Sequence, residues 1–193
     1  MTDVLEAPPA AAASAAAPAI PPALADFVAK LAVRPIVPLD GDAPTQHVGI
    51  DDLPWLEAGD GSAVQLLHAD LAQGLWVNRT RLPPGYKVIT HYHTGAVFAV
   101  TLQGRWFYSE SPEAMNAPGS YLFEPAGSRH TLCIPQDQEG DTLAWFAIYG
   151  ANINLDADNR IVSVFDARYV LEAYRGYAAA LGLDISKLIV AGE

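Results

Sequence analysis

The chain has 193 residues and a mass of 20.6 kDa, which is enough for one domain with a buried core and short extensions. It carries 11 basic and 22 acidic side chains, a formal net charge of −11, which argues against a nucleic-acid partner because phosphate backbones bind clustered basic residues. Its single cysteine, Cys133, excludes an internal disulfide framework and a thiolate-rich zinc site.

The first fifty residues are predicted to lie outside the main domain. Residues 1–22 are rich in alanine and proline, and we expect a disordered tail, because closely spaced prolines remove the backbone donors that a helix needs. This stretch lacks the positively charged start of a signal peptide, and its prolines argue against a membrane-spanning helix, so we expect a cytoplasmic protein. Residues 23–50 open with apolar residues at helical spacing, which predict a helical strap followed by a loop.

Residues 51–165 are predicted to form an all-β sandwich or barrel. Short segments rich in aromatic and β-branched residues are separated by turn residues, without a helical pattern between them, and this is typical of such folds. The predicted strands cover residues 64–67, 75–82, 86–93, 97–102, 105–109, 119–123, 130–134 and 142–148.

Residues 166–193 are predicted to contain a C-terminal helix. Asp166 is a candidate N-cap, and Gly182 marks the expected end. The apolar residues at helical spacing, which we expect to be buried, are Val170, Leu171, Tyr174 and Tyr177.

Three of the five histidines form a candidate metal site. His91 and His93 are two residues apart on a predicted strand, so their side chains point to the same face. His130 begins a later strand, and it faces the interior if Leu132 and Ile134 do. Neutral imidazoles bind iron, zinc, copper and nickel, so the residues alone leave the metal open.

The glycines and prolines around these histidines give a pattern that resembles the two motifs of the cupin superfamily. The residues that match the first motif are Gly85, His91, His93 and Gly104. Those that match the second are Gly119, Pro125, Gly127 and His130. Val97 stands where the first motif has a glutamate, and Ile134 where the second has an asparagine. The resemblance implies a cupin jelly-roll β-barrel, here with short helical N- and C-terminal extensions.

Within that superfamily, the chain resembles the 2,4'-dihydroxyacetophenone dioxygenase family over about residues 52–182. The similar segments are residues 91–97, 104–108, 119–125, 130–132 and 149–151. Such proteins cleave a carbon–carbon bond beside an aryl ketone with O2 and non-haem iron. The resemblance implies an Fe(II) dioxygenase in which the three histidines hold the iron, although zinc, nickel or copper can also load such a site. Its substrates would be a small aromatic ketone and O2, and its products an aryl carboxylate and a short acid.

Since valine cannot coordinate a metal, two acidic residues are candidates to replace the missing glutamate. Glu110 follows the predicted strand 105–109, where the dioxygenase relatives also carry a glutamate. We predict that it completes the metal site or moves a proton in catalysis. Glu124, which precedes the second motif's turn, is predicted to be a hydrogen-bonding partner near that turn.

Three further residues are predicted to contact the substrate. Trp106 and Tyr108 share one face of their strand and suit an aryl pocket, although barrel core or a subunit interface would also explain them. Arg81 shares a strand face with Arg79. That face either points into the cavity, where Arg81 would orient a phenolate or carboxylate, or is exposed to solvent.

Two other functions fit the same residues. One is a dioxygenase that cleaves 1,3-diketones. The other is a non-catalytic metal-binding cupin with a sensing or regulatory role, because the cupin domain of zinc-binding anti-sigma factors also resembles this chain. The first fifty residues contain no cysteine, which counts against that role. Related cupins form dimers or tetramers, so we expect a homodimer or homotetramer with no nucleic-acid or membrane partner.

Overall fold

The computed structural model describes residues 44–193, which form a β-rich domain with one helix. The predicted tail over 1–22, and the helical part of the predicted strap over 23–50, lie outside the described residues. Within residues 44–193, no helix has the length and apolar character needed to cross a bilayer.

The described part of the chain contains fourteen strands and one helix. In chain order, the strands are β1 Leu56–Glu57, β2 Ala63–Asp70, β3 Leu75–Leu82, β4 His91–His93, β5 Val97–Gln103, β6 Trp106–Tyr108, β7 Ser111–Asn116, β8 Tyr121–Glu124, β9 Arg129–His130, β10 Leu132–Cys133, β11 Thr142–Tyr149, β12 Asn152–Leu155, β13 Ile161–Phe165 and β14 Ile189–Ala191. Helix α1 spans Ala167–Leu181.

These strands form three sheets rather than one closed barrel. The largest has the order β1-β2-β3-β11-β5-β8, and β14 pairs in parallel with β2. A second sheet has the order β13-β12-β4-β9, and a third the order β10-β6-β7. The all-β jelly-roll class predicted from the sequence is confirmed, with strands of the first two sheets lining a common interior.

The core forms where alternate residues of the large sheet point inward. On β11, Ala144, Phe146 and Ile148 are buried on this inner face. Phe146 lies between Asn78 of β3 and Ala99 of β5 in the strand register. The inward positions therefore form rows that run across the sheet, and these rows determine which side chains face the cavity described below.

Helix α1 closes one side of this core. Asp166 accepts a hydrogen bond from the backbone N–H of Tyr169 at 2.8 Å, and Gly182 ends the helix in the left-handed region at φ 66°. Both predicted helix ends are confirmed. Leu171 and Tyr174 are buried against the sheet, and the Tyr174 hydroxyl donates a hydrogen bond to the carbonyl oxygen of Pro54.

Two predicted strands are interrupted in the structure. In the predicted strand 86–93, only His91–His93 is a strand, because residues near Lys87 pair with β10 through a single bridge at Cys133. The predicted strand 130–134 divides into β9 and β10, which pair with β4 and β6 respectively. Five further strands were not predicted from the sequence: β1, β7, β12, β13 and β14.

Candidate metal centre

Three imidazoles meet at the junction of β4 and β9. His91 and His93 point to the same face of β4, and His130 lies directly across from His91 in the antiparallel register. All three side chains are buried, and one ring nitrogen from each lies within 4.8 Å of those of the other two. The Nε2 atoms of His91 and His130 are 3.1 Å apart. The structure therefore brings together the three histidines that the sequence singled out.

Two backbone contacts hold this junction in place. The N–H of Gly127, in the turn before β9, donates a hydrogen bond to the carbonyl oxygen of His93 at 2.8 Å. Gly95, two residues after His93, lies so close to β11 that an added Cβ would stand 2.4 Å from the carbonyl oxygen of Tyr149. Only glycine fits there, so the chain that leaves the histidine pair is packed tightly against the large sheet.

A buried carboxylate completes the cluster. Glu124, at the end of β8, is 3% exposed, and its Oε2 lies 3.5 Å from Nε2 of His93 and 3.3 Å from Nε2 of His130. Its Oε1 accepts a hydrogen bond from the Tyr108 hydroxyl. Burial raises the pKa of Glu124 to about 7, partly opposed by this hydrogen bond.

Burial keeps the imidazoles neutral. It lowers the pKa of His93 to about 3, with a further contribution from the two neighbouring rings, and that of His130 to about 4. The pKa of His91 is also lowered by burial, and its Nδ1 is 2.7 Å from the carbonyl oxygen of Ile89. At neutral pH the three rings therefore offer lone pairs rather than positive charges.

This arrangement fits a divalent metal ion. Two Nε2 atoms 3.1 Å apart can share only one proton, and the Glu124 Oε2 atom has no hydrogen-bond partner among the described residues. A cation among these atoms would bind the lone pairs that the protein leaves without a hydrogen-bond donor. Imidazole nitrogen with one carboxylate oxygen is a donor set that suits iron, zinc and related ions, so the three histidines can hold such a metal.

A cavity of about 430 Å³ opens from this cluster into the interior. His91, His93, Tyr108 and Glu124 line one part of it. Its other walls are mostly apolar and come from both large sheets and α1, including Trp76, Leu132, Phe146, Ile148, Phe165 and Tyr174. A second, more open cavity of about 510 Å³ reaches His130, Tyr108 and Glu124 from the side of β7 and β8.

The structure does not bring Glu110 to the imidazoles. Its carboxylate accepts hydrogen bonds from the backbone N–H of Thr131 at 2.9 Å and from the hydroxyl of Thr131 at 3.2 Å, near the surface. Burial is the largest single influence on the pKa of Glu110 and raises it, but the hydrogen bonds from Thr131 and from the backbone and side chain nearby together outweigh it, so the pKa is lowered. Glu110 therefore contacts the residue that follows His130 rather than the cluster itself.

The three residues predicted to contact the substrate lie in different environments. Tyr108 lines the cavity. Trp106 is core, and its indole N–H donates a hydrogen bond to Thr101 Oγ1 at 2.8 Å. Arg81 lies on the outer face of β3, where it contacts Glu57 at 2.6 Å. It therefore faces solvent and does not point into the cavity.

The inner face of β3 instead carries residues that the sequence analysis did not select. Asn78 and Thr80 line the cavity from this strand, and Asn152 lines it from β12. The position of Glu124 also has a simple geometric basis: it lies directly opposite Val97 in the register of β5 and β8. Glu124 therefore places a carboxylate on the neighbouring strand at the level of position 97.

Comparison with known proteins identifies a family to which the chain is similar. The family model of the ChrR cupin-like domain matches residues 44–149. No curated protein matches the sequence.

Several solved structures share the fold. A cupin-like protein of unknown function from Ralstonia eutropha JMP134 is 30% identical, with a TM-score of 0.72 over 80% of this chain and 97% of that one. An RmlC-like cupin from the same organism is 26% identical, with a TM-score of 0.71 over 76% and 94%. An acetylacetone dioxygenase from Acinetobacter johnsonii is 17% identical, with a TM-score of 0.62 over 74% and 99%, which supports the fold alone.

Proposed function

The chain belongs to the ChrR cupin-like domain family, and we propose that it is a non-haem Fe(II) dioxygenase acting on an aryl α-hydroxyketone. The reaction breaks the bond between the carbonyl carbon and the hydroxylated carbon. With a hydroxymethyl ketone, each carbon gains one oxygen atom of O2, giving an aryl carboxylic acid and formic acid. The two carbons lose four electrons in total, and O2 gains them.

The observation that carries this proposal is the meeting of a metal-ligand cluster with an apolar cavity. Three neutral imidazoles, from His91, His93 and His130, would give a divalent ion no negative charge, and the single Glu124 carboxylate beside them would offset only part of its charge, which favours an anionic chelating substrate. Bound there, iron(II) would supply Lewis acidity and the redox capacity that O2 chemistry requires. The adjoining cavity of about 430 Å³ is large enough for an aryl group.

Glu124 is the residue we assign to proton transfer. Its Oε2 lies beside the imidazole nitrogens and has no hydrogen-bond partner, whereas Oε1 is held by Tyr108. From this position its carboxylate would accept a proton that an α-hydroxyketone loses when it becomes an enediolate. Tyr108 keeps the carboxylate in one orientation.

The remaining residues position the site and exclude water. We assign Glu110 a positioning role, because its two hydrogen bonds to Thr131 fix the backbone next to His130. Trp76, Phe146 and the aromatic residues of α1 and β13 surround the cavity, and they would accept the aryl ring while keeping bulk water from the reacting atoms.

Oxygen uptake tests the proposed function. Protein loaded anaerobically with iron(II) is mixed with aerated buffer and one member of a panel of aryl α-hydroxyketones and 1,3-diketones. We expect uptake with a hydroxyketone, matched mole for mole by an aryl carboxylate. The His93→Ala variant should show no uptake, whereas His68→Ala, a histidine of β2 outside the cluster, should behave as the wild type.

Two outcomes would contradict the proposal. Uptake with the 1,3-diketones alone would preserve a carbon–carbon-cleaving dioxygenase but assign it another substrate class. No uptake with any ketone, at full iron occupancy, would refute the proposed dioxygenase activity and favour the alternative of a non-catalytic metal-binding cupin.

A further inference from the structure

Two separate cavities meet at the candidate metal centre. The first, of about 430 Å³, lies beside α1 and is lined by His91 and His93. The second, of about 510 Å³, lies between β7 and β8 and is lined by His130. Tyr108 and Glu124 line both cavities, so the hydrogen-bonded pair that they form stands between them. The centre therefore has two approaches, which we call the α1 cavity and the β7–β8 cavity.

The mouth of the α1 cavity carries no charged side chain among the described residues. The residues that both line this cavity and are exposed to solvent are Ala58, Tyr169 and Ala173. Glu124, at the metal centre, is the only Asp, Glu, Lys or Arg side chain among the described residues of the lining. A hydrated divalent ion that crossed this mouth would lose contacts with water and gain few in return, which is costly. An apolar ligand would instead be stabilised by burial there.

The mouth of the β7–β8 cavity is more polar. Its exposed lining residues include Glu110 and Arg129, whose opposite charges leave the entrance polar but without net charge. Ser111 and Ser120 also line this cavity and add hydroxyl groups. Exposed apolar residues complete the wall, namely Ala114, Met115, Tyr121, Phe123 and Pro125. Carboxylate and hydroxyl oxygens can replace part of the water around a divalent ion, so an ion crosses this mouth at a lower cost.

We propose that the two cavities admit different ligands: the metal ion enters and leaves through the β7–β8 cavity, whereas an apolar ligand enters through the mouth of the α1 cavity. The protein could then take up or release its metal while the α1 cavity is occupied. This inference uses the candidate metal centre, and it rests on the proposed function only in taking the α1 cavity as the ligand site. It makes no use of O2 chemistry.

Two alanines form a matched pair for testing this division. Ala114 is an exposed residue of β7 that lines the β7–β8 cavity, and Ala173 is an exposed residue of α1 that lines the α1 cavity. Neither belongs to the metal centre. Replacing each alanine by tryptophan adds the same bulky side chain at one mouth only, and circular dichroism checks that both variants fold.

The first measurement is the rate of metal exchange. Metal-free protein is mixed with Co(II) in a stopped-flow spectrometer, and excess EDTA then captures the ion as it is released. We expect Ala114→Trp to lower the association and dissociation rate constants alike, by at least about fivefold, because an obstacle on the path raises the barrier in both directions. The dissociation constant should stay within about twofold of the wild-type value, since the obstacle changes neither the bound nor the free state. Ala173→Trp should leave all three constants unchanged.

The second measurement is the affinity for an apolar ligand. Indene, a flat hydrocarbon without metal-binding atoms, is titrated into metal-free protein and followed by NMR. We expect Ala173→Trp to raise the dissociation constant of indene by at least about fivefold, because the added side chain narrows the α1 cavity. Ala114→Trp should bind indene as the wild type does. Each substitution should therefore affect one measurement and leave the other unchanged.

A pair of charge variants repeats the metal measurement with a flexible side chain. Ala114→Lys adds a positive charge at the mouth of the β7–β8 cavity, and Ala173→Lys adds the same charge at the mouth of the α1 cavity. Only Ala114→Lys should slow the association of Co(II), and the effect should shrink as the salt concentration rises. Equal slowing by the two lysines would contradict separate entrances.

Other results would also overturn the inference. They are Co(II) exchange slowed by Ala173→Trp as much as by Ala114→Trp, exchange slowed by neither, an indene affinity lowered by Ala114→Trp rather than Ala173→Trp, and a wild type that takes up no Co(II) or binds no indene. Neither measurement uses O2. The division between the cavities can therefore fail while oxygen uptake succeeds, or succeed while oxygen uptake fails.

Discussion

Removing one core side chain from α1 tests whether this helix is packed as described. Leu171 is 1% exposed in the core cluster beneath the helix. Leu171→Ala deletes three carbon atoms, and at ~0.8 kcal/mol for each buried methylene the transfer contribution is about 2.4 kcal/mol. The residual cavity adds to this, so we expect a loss of about 3 kcal/mol of unfolding free energy. For a chain of this size, that lowers Tm by about 6–12 °C.

Thermal unfolding followed by circular dichroism measures this effect. Leu181→Ala is the matched control, because it makes the same substitution at the last residue of the same helix, where the side chain is 59% exposed. We expect the control to change the unfolding free energy by less than about 0.5 kcal/mol. At about 2–4 °C per kcal/mol, the melting temperatures of the two variants should differ by several degrees. If they lie within 2 °C of each other, α1 is not packed on the sheet as described.

Three further predictions concern the site and its supports. Gly95→Ala should be poorly folded and lose metal binding, because its Cβ would stand 2.4 Å from the Tyr149 carbonyl oxygen. The control Gly176→Ala has open space in the helix, and its unfolding free energy should rise by about 0.5–1 kcal/mol. Circular dichroism and metal analysis measure both effects, and equal behaviour of the two variants would contradict the close approach at Gly95. Tyr108→Phe should retain its metal but lose turnover, since it removes the hydrogen bond that orients the Glu124 carboxylate. An unchanged kcat would show that Tyr108 has no role in turnover. Adding metal at 100 times its dissociation constant should stabilise the wild type by about 2.7 kcal/mol, measured as a rise in Tm, and no rise would mean that the folded protein does not bind the ion.

The sequence predicts the histidine cluster because its geometry is local. Two residues two apart on a strand must share a face, so His91 and His93 could be paired without knowing the sheet order. The third histidine, His130, was identified from the resemblance of the turn before it to the second cupin motif. The fold class was accessible for the same reason, since short strands and turn residues leave a local pattern.

The Glu124 carboxylate was harder to identify, because its position beside the histidines depends on the register of strand pairing. Val97 and Glu124 are far apart in sequence and become neighbours only when β5 pairs with β8. Sequence spacing favoured Glu110, whose carboxylate instead binds Thr131. The alternation of side chains along a strand separates its two faces but does not show which face is the inner one. Arg81 illustrates this, because it lies on the outer face of β3, whereas the opposite face, with Asn78, lines the cavity.

The missed strands share a physical cause. Strand β7 is short, contains Pro112 and is mostly exposed, so it lacks an apolar pattern. Strand β12 carries two buried asparagines, one of which bonds to the other, and such polar positions do not resemble a core strand. Their pairing partners, rather than their own residues, make them strands.

Metal content after anaerobic loading shows whether the three histidines bind iron. Wild-type protein and His93→Ala are each incubated with excess iron(II), passed through a desalting column under nitrogen and analysed for iron per chain. We expect one equivalent of iron in the wild type and a small fraction of that in the variant, since His93 supplies one of the three buried imidazoles. Equal iron contents in the two proteins, or none in the wild type, would contradict it.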